Sequence, residues 1–160
     1  MKPRKGVLLA VVRIKGTVGV RPDVKRTLEL LNLKRKYNAT LLMNSGIVQG
    51  MLQKAKDYIT FGEIDKDVLK KLLLKRGRTR DGKKLTPEVL KDRGIVSIDE
   101  LVSKMMAGEI KLNRIKWLKP YFRLSPPSKG FKGSTLKSVR EGGELGYRGE
   151  KINNLLVRMI

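Results

Sequence analysis

Side chains able to do acid–base, nucleophilic or metal chemistry are scarce in these 160 residues. There is no Cys, so disulfides, thiol nucleophiles and Cys-based zinc sites are excluded. There is no His either, which removes the commonest general base and the commonest metal ligand. The one close acid pair of D-x-D form, Asp65-Lys66-Asp67, falls at a predicted helix start, where successive side chains diverge and carboxylates suit the positive helix end. Gly142-Gly143-Glu144-Leu145-Gly146 lacks the preceding strand and the Lys-Ser/Thr ending of a phosphate-binding loop. No catalytic residue, metal or cofactor is expected.

Cations, by contrast, abound. There are 37 Lys and Arg against 15 Asp and Glu, a net charge of +22. Residues 1–62 carry 13 basic and 3 acidic residues, 63–118 carry 15 and 9, and 119–160 carry 9 and 3. Charge spread through folding segments would repel itself unless something anionic accepts it. It suggests a chain embedded in nucleic acid rather than one with a basic arm. The candidate RNA contacts are Arg13, Lys15 and Arg21, then Lys25 and Arg26, and above all the run Lys34-Arg35-Lys36. They continue with Arg76, Arg78, Arg80, Lys83 and Lys84, and with Lys129, Lys132 and Arg148. The bland alternatives are a solvated turn at 34–36 and a flexible charged linker at 76–84. Trp117, Tyr121 and Phe122 could stack on bases, but with so few aromatics most are needed for packing.

The elements that must position these cations read clearly in the first third. Val7 to Ile14 is an apolar strand turning to alternation, so Arg13 and Lys15 are expected to emerge on one face. Pro22 and Asp23 open a helix whose Val24, Thr27, Leu28 and Leu31 share one face. Ala39 to Met43 is a short strand. Asn44 or Ser45 caps a second helix with Val48, Met51, Leu52 and Ala55 inward, and Tyr58 to Phe61 forms a third strand ended by Gly62. Two helices with single stripes beside three strands imply a two-layer α+β sandwich. Its second sheet face needs cover, from RNA or from the later segments.

Beyond this unit, Asp65 can cap a helix burying Val68, Leu69, Leu72 and Leu73. Thr86-Pro87-Glu88 starts another, and Ser97 with Glu100 is a capping box for a third. From Ser128 to Gly149 no helix or strand period is visible, and such a tract could order only on RNA. Ile152, Leu155, Leu156 and Met159 mark a last helix docked on the protein. The expected division is a 1–64 core, a 65–118 helical insertion and a 119–160 Gly-rich segment with a terminal helix. The apolar run Val7 to Val12 is too short to span a bilayer. Lys2, Arg4 and Lys5 precede it as in a signal peptide, but Arg13 and Lys15 end it early without a cleavage site. The chain is read as soluble and intracellular, without a membrane or small-molecule partner.

Arg13-Ile14-Lys15-Gly16-Thr17, Leu28 to Leu33, Asn38-Ala39-Thr40 and the Ile47 to Phe61 helix-strand together resemble the large-subunit ribosomal protein L-thirty family, called L-seven in eukaryotes. Phe122-Arg123-Leu124-Ser125-Pro126-Pro127 and Gly142 to Gly149 are similar to its longer, archaeal-type form. The resemblance implies a ferredoxin-like core: a three-stranded antiparallel sheet with two helices on one face. It also implies a non-catalytic, structural role in cytoplasmic ribosomes. Its partners would be large-subunit rRNA, with 5S rRNA a further candidate, and neighbouring ribosomal proteins. The rival readings are an RNA-modifying enzyme and a chromosomal DNA-binding protein.

Overall fold

In β1 (Leu8–Arg13) all six residues are buried, which requires cover on both faces of the sheet around it. A computed structural model describes residues 6–160 and supplies that cover. Strand β1 pairs antiparallel with β2 (Asn38–Met43) and β3 (Ile59–Glu63), so Val11 lies opposite both Thr40 and Phe61. Side chains alternate across the pleat. Leu9 and Val11 therefore join α1 (Pro22–Leu30) and α2 (Gly46–Ala55), through Val24, Leu28, Leu52 and Ala55. Leu8, Ala10, Val12 and Ile14 enter a second, larger core on the other side.

That second core is built by the later segments. Helices α3 (Lys66–Arg76), α4 (Pro87–Asp92), α5 (Ile98–Met106) and α6 (Ile152–Met159) contribute Leu69, Leu72, Leu90, Val102, Leu155 and Leu156 to it. The sheet itself is wider than three strands. Its order is β4-β2-β1-β3-β6-β5, with β4 (Phe122–Arg123) antiparallel to β2 and β6 (Gly143–Tyr147) parallel to β3. Strand β5 (Ser134–Ser138) pairs parallel with β6. The α+β core is as expected, extended to six strands and helices on both faces.

Three local expectations change. Gly62 does not end β3 but lies inside it, because the Gly149 carbonyl crosses where a Cβ would stand. Asp65 occupies the N-cap of α3, yet its side chain caps nothing, and its N–H donates to Asn153 Oδ1 at 2.8 Å. The tract after Pro127, without a visible period in the sequence, contains β5 and β6. The Ser97 hydroxyl does accept from the Glu100 N–H, while the Glu100 carboxylate takes the Val96 N–H.

Two guanidiniums, one buried and one half-buried, tie these pieces together. Arg13 is 2% exposed. It donates to the carbonyls of Leu33 (2.7 Å), Lys15 (2.9 Å) and Gly16 (3.0 Å). Among the described residues no carboxylate reaches it. Burial lowers its pKa, with Tyr58 acting the other way, but an arginine stays charged. Arg148 pairs with Glu144 and also donates to Thr60 Oγ1 at 2.8 Å, joining β6 to β3. Burial alone would raise the Glu144 carboxyl, but hydrogen bonds from Arg148 and the Gly133 N–H hold it below its ordinary value.

Arg13→Met leaves three carbonyls without their donor and should lower unfolding free energy by about 3 kcal/mol in urea titrations. Arg13→Lys should recover little, since one ammonium cannot span the fork. Glu144 titrates lower folded than unfolded, so its stabilisation is full above the unfolded value of about 4.3 and is lost as pH falls through the folded one. Glu144→Gln should destabilise at pH 7 by roughly 3 kcal/mol and flatten the acid limb of stability against pH.

Candidate nucleic-acid interface

The cations gather where the chain turns at the C-terminal end of β1. Helix α1 stops in a Schellman turn: Asn32 takes φ 62°, Leu33 N–H bonds to Leu28 O, and Asn32 N–H bonds to Glu29 O. The chain then runs out through Lys34, Arg35 and Lys36, all exposed, and returns at Tyr37, whose φ is 68° and whose N–H meets Arg13 O. Lys36 Nζ rests 5.0 Å from the Tyr37 ring. Lys15 sits nearby on β1's exit, 5.6 Å from the Tyr58 ring.

Strand β4 brings the later cations to this edge. Asn38 is paired with Arg123, and Leu124 N–H donates to Tyr37 O. Around Arg123 a notch of about 270 Å³ is lined by Arg76, Arg78, Gly82, Lys119 and Tyr121. Arg76 is aimed by bonds to Arg123 O (3.2 Å) and Ser125 Oγ (2.7 Å), and Arg78 by bonds to Gly77 O and Lys75 O. These carbonyls fix the guanidiniums without neutralising them. Among the described residues no carboxylate pairs with any of the four cations, and four such charges in one small notch favour an anion.

The segment from Arg76 to Lys84 is no loose linker. Thr79 is buried, its N–H bonds to Lys83 O, and its hydroxyl accepts from Lys83 N–H. The segment is further stitched to the chain before β4 by Arg80 N–H to Trp117 O and Lys119 N–H to Arg78 O. Gly82 takes φ 87°, the turn that Asp81-Gly82 signals. Arg80, Lys83 and Lys84 remain exposed, with Arg80 Nε held by Lys116 O. Phe131, between Lys129 and Lys132 in the sequence, brings its ring to 6.3 Å from that of Tyr37, the residue that follows the 34–36 run.

Not every expected contact belongs to this surface. The Arg13 guanidinium is buried on three backbone carbonyls, and the half-buried Arg148 is engaged by Glu144 and Thr60. Lys25 and Arg26 lie exposed on α1, and Arg21 stands 3.4 Å from Asp23 at that helix's start. Lys119 and Arg123 are not singled out by residue order. The alternation of buried Phe122 and Leu124 around exposed Arg123 is the signal that marks the latter. Of the aromatics, Phe122 is core, Trp117 meets Arg93 at 5.8 Å, and Tyr121 alone lines the notch. Asp65 and Asp67 are exposed, and among the described residues no three acids gather as a metal site would need. Among those residues, too, no helix is long and apolar enough to cross a membrane.

Known proteins match this sequence over nearly its whole length. Residues 9–59 match the model of the family described as ribosomal protein L30p/L7e. The large ribosomal subunit protein uL30 of Ignicoccus hospitalis is 50% identical over 155 residues, covering 96% of this chain and 98% of that one. Those of Nanoarchaeum equitans and Korarchaeum cryptofilum are 48% and 46% identical, each over 96% of this chain and over 99% and 95% of their own. The chain thus belongs to the ribosomal protein L30p/L7e family.

Proposed function

We propose that this chain is a structural protein of the large ribosomal subunit, working in cytoplasmic ribosomes. It holds folded rRNA by contacts from one basic edge to phosphates. The observation that carries this reading is the unneutralised notch of Arg76, Arg78, Lys119 and Arg123 beside Lys34, Arg35 and Lys36. Arg80, Lys83, Lys84, Lys129 and Lys132 extend it, and Lys15 adds to its rim. Its mechanism is counterion release and shape matching, with no bond made or broken. Arg76 and Arg78 are already aimed by backbone carbonyls, which lowers the ordering cost of binding at the notch.

The test is filter or fluorescence binding of the purified chain to large-subunit rRNA fragments across a salt series. With about ten phosphates contacted, log affinity should fall against log salt with a slope of roughly −7 to −9. Lys119→Ala and Arg123→Ala should each make that slope shallower by about 1, and Lys34, Arg35 and Lys36 together changed to Ala should do so by about 3. Thermal unfolding should stay nearly unchanged in all of them. A flat salt dependence, or equal affinity for duplex DNA, would overturn the reading. The same series on 5S rRNA decides whether that RNA shares the surface.

A further inference from the structure

A second concavity has a different electrostatic character. It is an open groove of about 1550 Å³ between α2 and the β5–β6 pair. Its floor includes the Phe61 and Tyr147 rings, 5.6 Å apart. Helices α1 and α2 already cover the neighbouring part of this sheet face. The groove lies where a further helix of the same layer would sit.

Its walls lack an internal explanation. Gly46, Gln49, Gly50 and Gln53 line it from α2, a spacing that puts them on one helix face. A Cβ at Gly50 would meet nothing within 4 Å, and its φ is not positive. Glycine inside a helix is unfavourable relative to Ala, and no close neighbour in the protein demands it here. On the opposite rim Leu136 is 77% exposed.

The charges say what kind of occupant fits. Asp57, Glu63, Glu141 and Glu150 line the groove, and among the described residues none of them forms a salt bridge. Glu63 accepts from the Tyr147 hydroxyl at 2.7 Å, a neutral donor that leaves its charge in place. In a chain with 37 cations to 15 acids, four such carboxylates in one groove are a concentration. Lys56, Arg140 and Lys151 stand against them, while the Arg148 charge is taken by Glu144. Outside the described salt bridges this leaves four carboxylates against three cations, so a phosphate backbone laid here would find none of the one-signed field of the notch. We infer that the groove docks a basic amphipathic helix of a neighbouring large-subunit protein, its apolar stripe on Phe61, Tyr147 and Leu136 and its cations toward Asp57, Glu63, Glu141 and Glu150. A helix about 10–12 Å across continues the α1–α2 layer, and helix-in-groove docking is a common recognition mode. The inference rests on the ribosomal reading for the class of its partner.

The experiment places photoreactive benzoylphenylalanine at Gln53 in the full chain, irradiates intact large subunits, and maps the crosslinked peptide by mass spectrometry. The expected result is a crosslink into one Lys/Arg-rich helical segment of one other protein. Gly50→Trp, whose side chain enters open space, should lower that yield by about tenfold while sparing thermal unfolding and rRNA-fragment affinity. The double variant Glu141→Lys, Glu150→Lys should also weaken it, and it decides the matter should Gly50→Trp unfold. Crosslinks to rRNA or to a second copy of this chain, no crosslink at all, or a yield indifferent to the variants would each overturn the inference. Because rRNA-fragment affinity is read separately, failure here leaves the basic-edge reading standing or falling on its own salt series.

Discussion

The Arg13 guanidinium is the constraint from which the basic edge follows. A cation at the end of a fully buried strand needs partners, and here it takes three backbone carbonyls from two connections. Those carbonyls belong to two separate connections, which the guanidinium joins. Leu33 O fixes the chain leaving α1, while Lys15 O and Gly16 O fix the exit from β1. With both connections clamped, Lys34, Arg35 and Lys36 have nowhere to point but outward. One positive charge is thus buried so that three others are presented together. Positioning by backbone carbonyls also avoids the neutralisation that an acidic partner would bring.

The same logic recurs at the notch, where carbonyls rather than carboxylates orient Arg76 and Arg78. Like charges held this close repel, so the arrangement is bearable only on a rigid frame. That frame is the second core. Leu72 and Leu73 of α3 and Phe122 of β4 are buried in one cluster, and buried Thr79 fastens the intervening segment through its bonds to Lys83. Helices that look like an insertion in the sequence therefore serve as the missing cover of the sheet and as the mount of its cations.

Much of this is legible from residue order. The stripes of α1, α2, α3 and α6 show at helical spacing because their burial is a local pattern that each helix repeats. Strands β5 and β6 are not legible, because they owe their place to β3 and to the Arg148–Glu144 pair. Glycines at 142, 143 and 146 dilute any alternation there. Arg13 misleads for a related reason. An arginine closing an apolar strand looks like the first residue to emerge, and only the 33–37 turn folding over it makes it interior. The triplet at 34–36, the turn at Asp81-Gly82 and the alternation around Arg123 are visible in the sequence, whereas the place of Lys119 depends on its N–H bond to Arg78 O and that of Arg123 on the pairing of β4 with β2.

A charge of +22 invites the view that every face of this chain meets RNA. The fold argues otherwise, since it sorts the charges. At the β4 edge the described lining of the notch holds four cations and no acid, whereas the groove beside β5 carries four acids and three cations outside the described salt bridges. Screening in cellular salt acts over about 8 Å, so two surfaces at different places on the sheet keep their different charge balance. An approaching phosphate backbone meets an unopposed positive field at the first and a nearly balanced lining at the second, so attraction favours the β4 edge. Since β4 and β5 are opposite edges of one continuous sheet, rigidity between them passes through paired strands. The sheet then does more than hold a core: it fixes where the basic edge lies relative to the mixed groove at its other end.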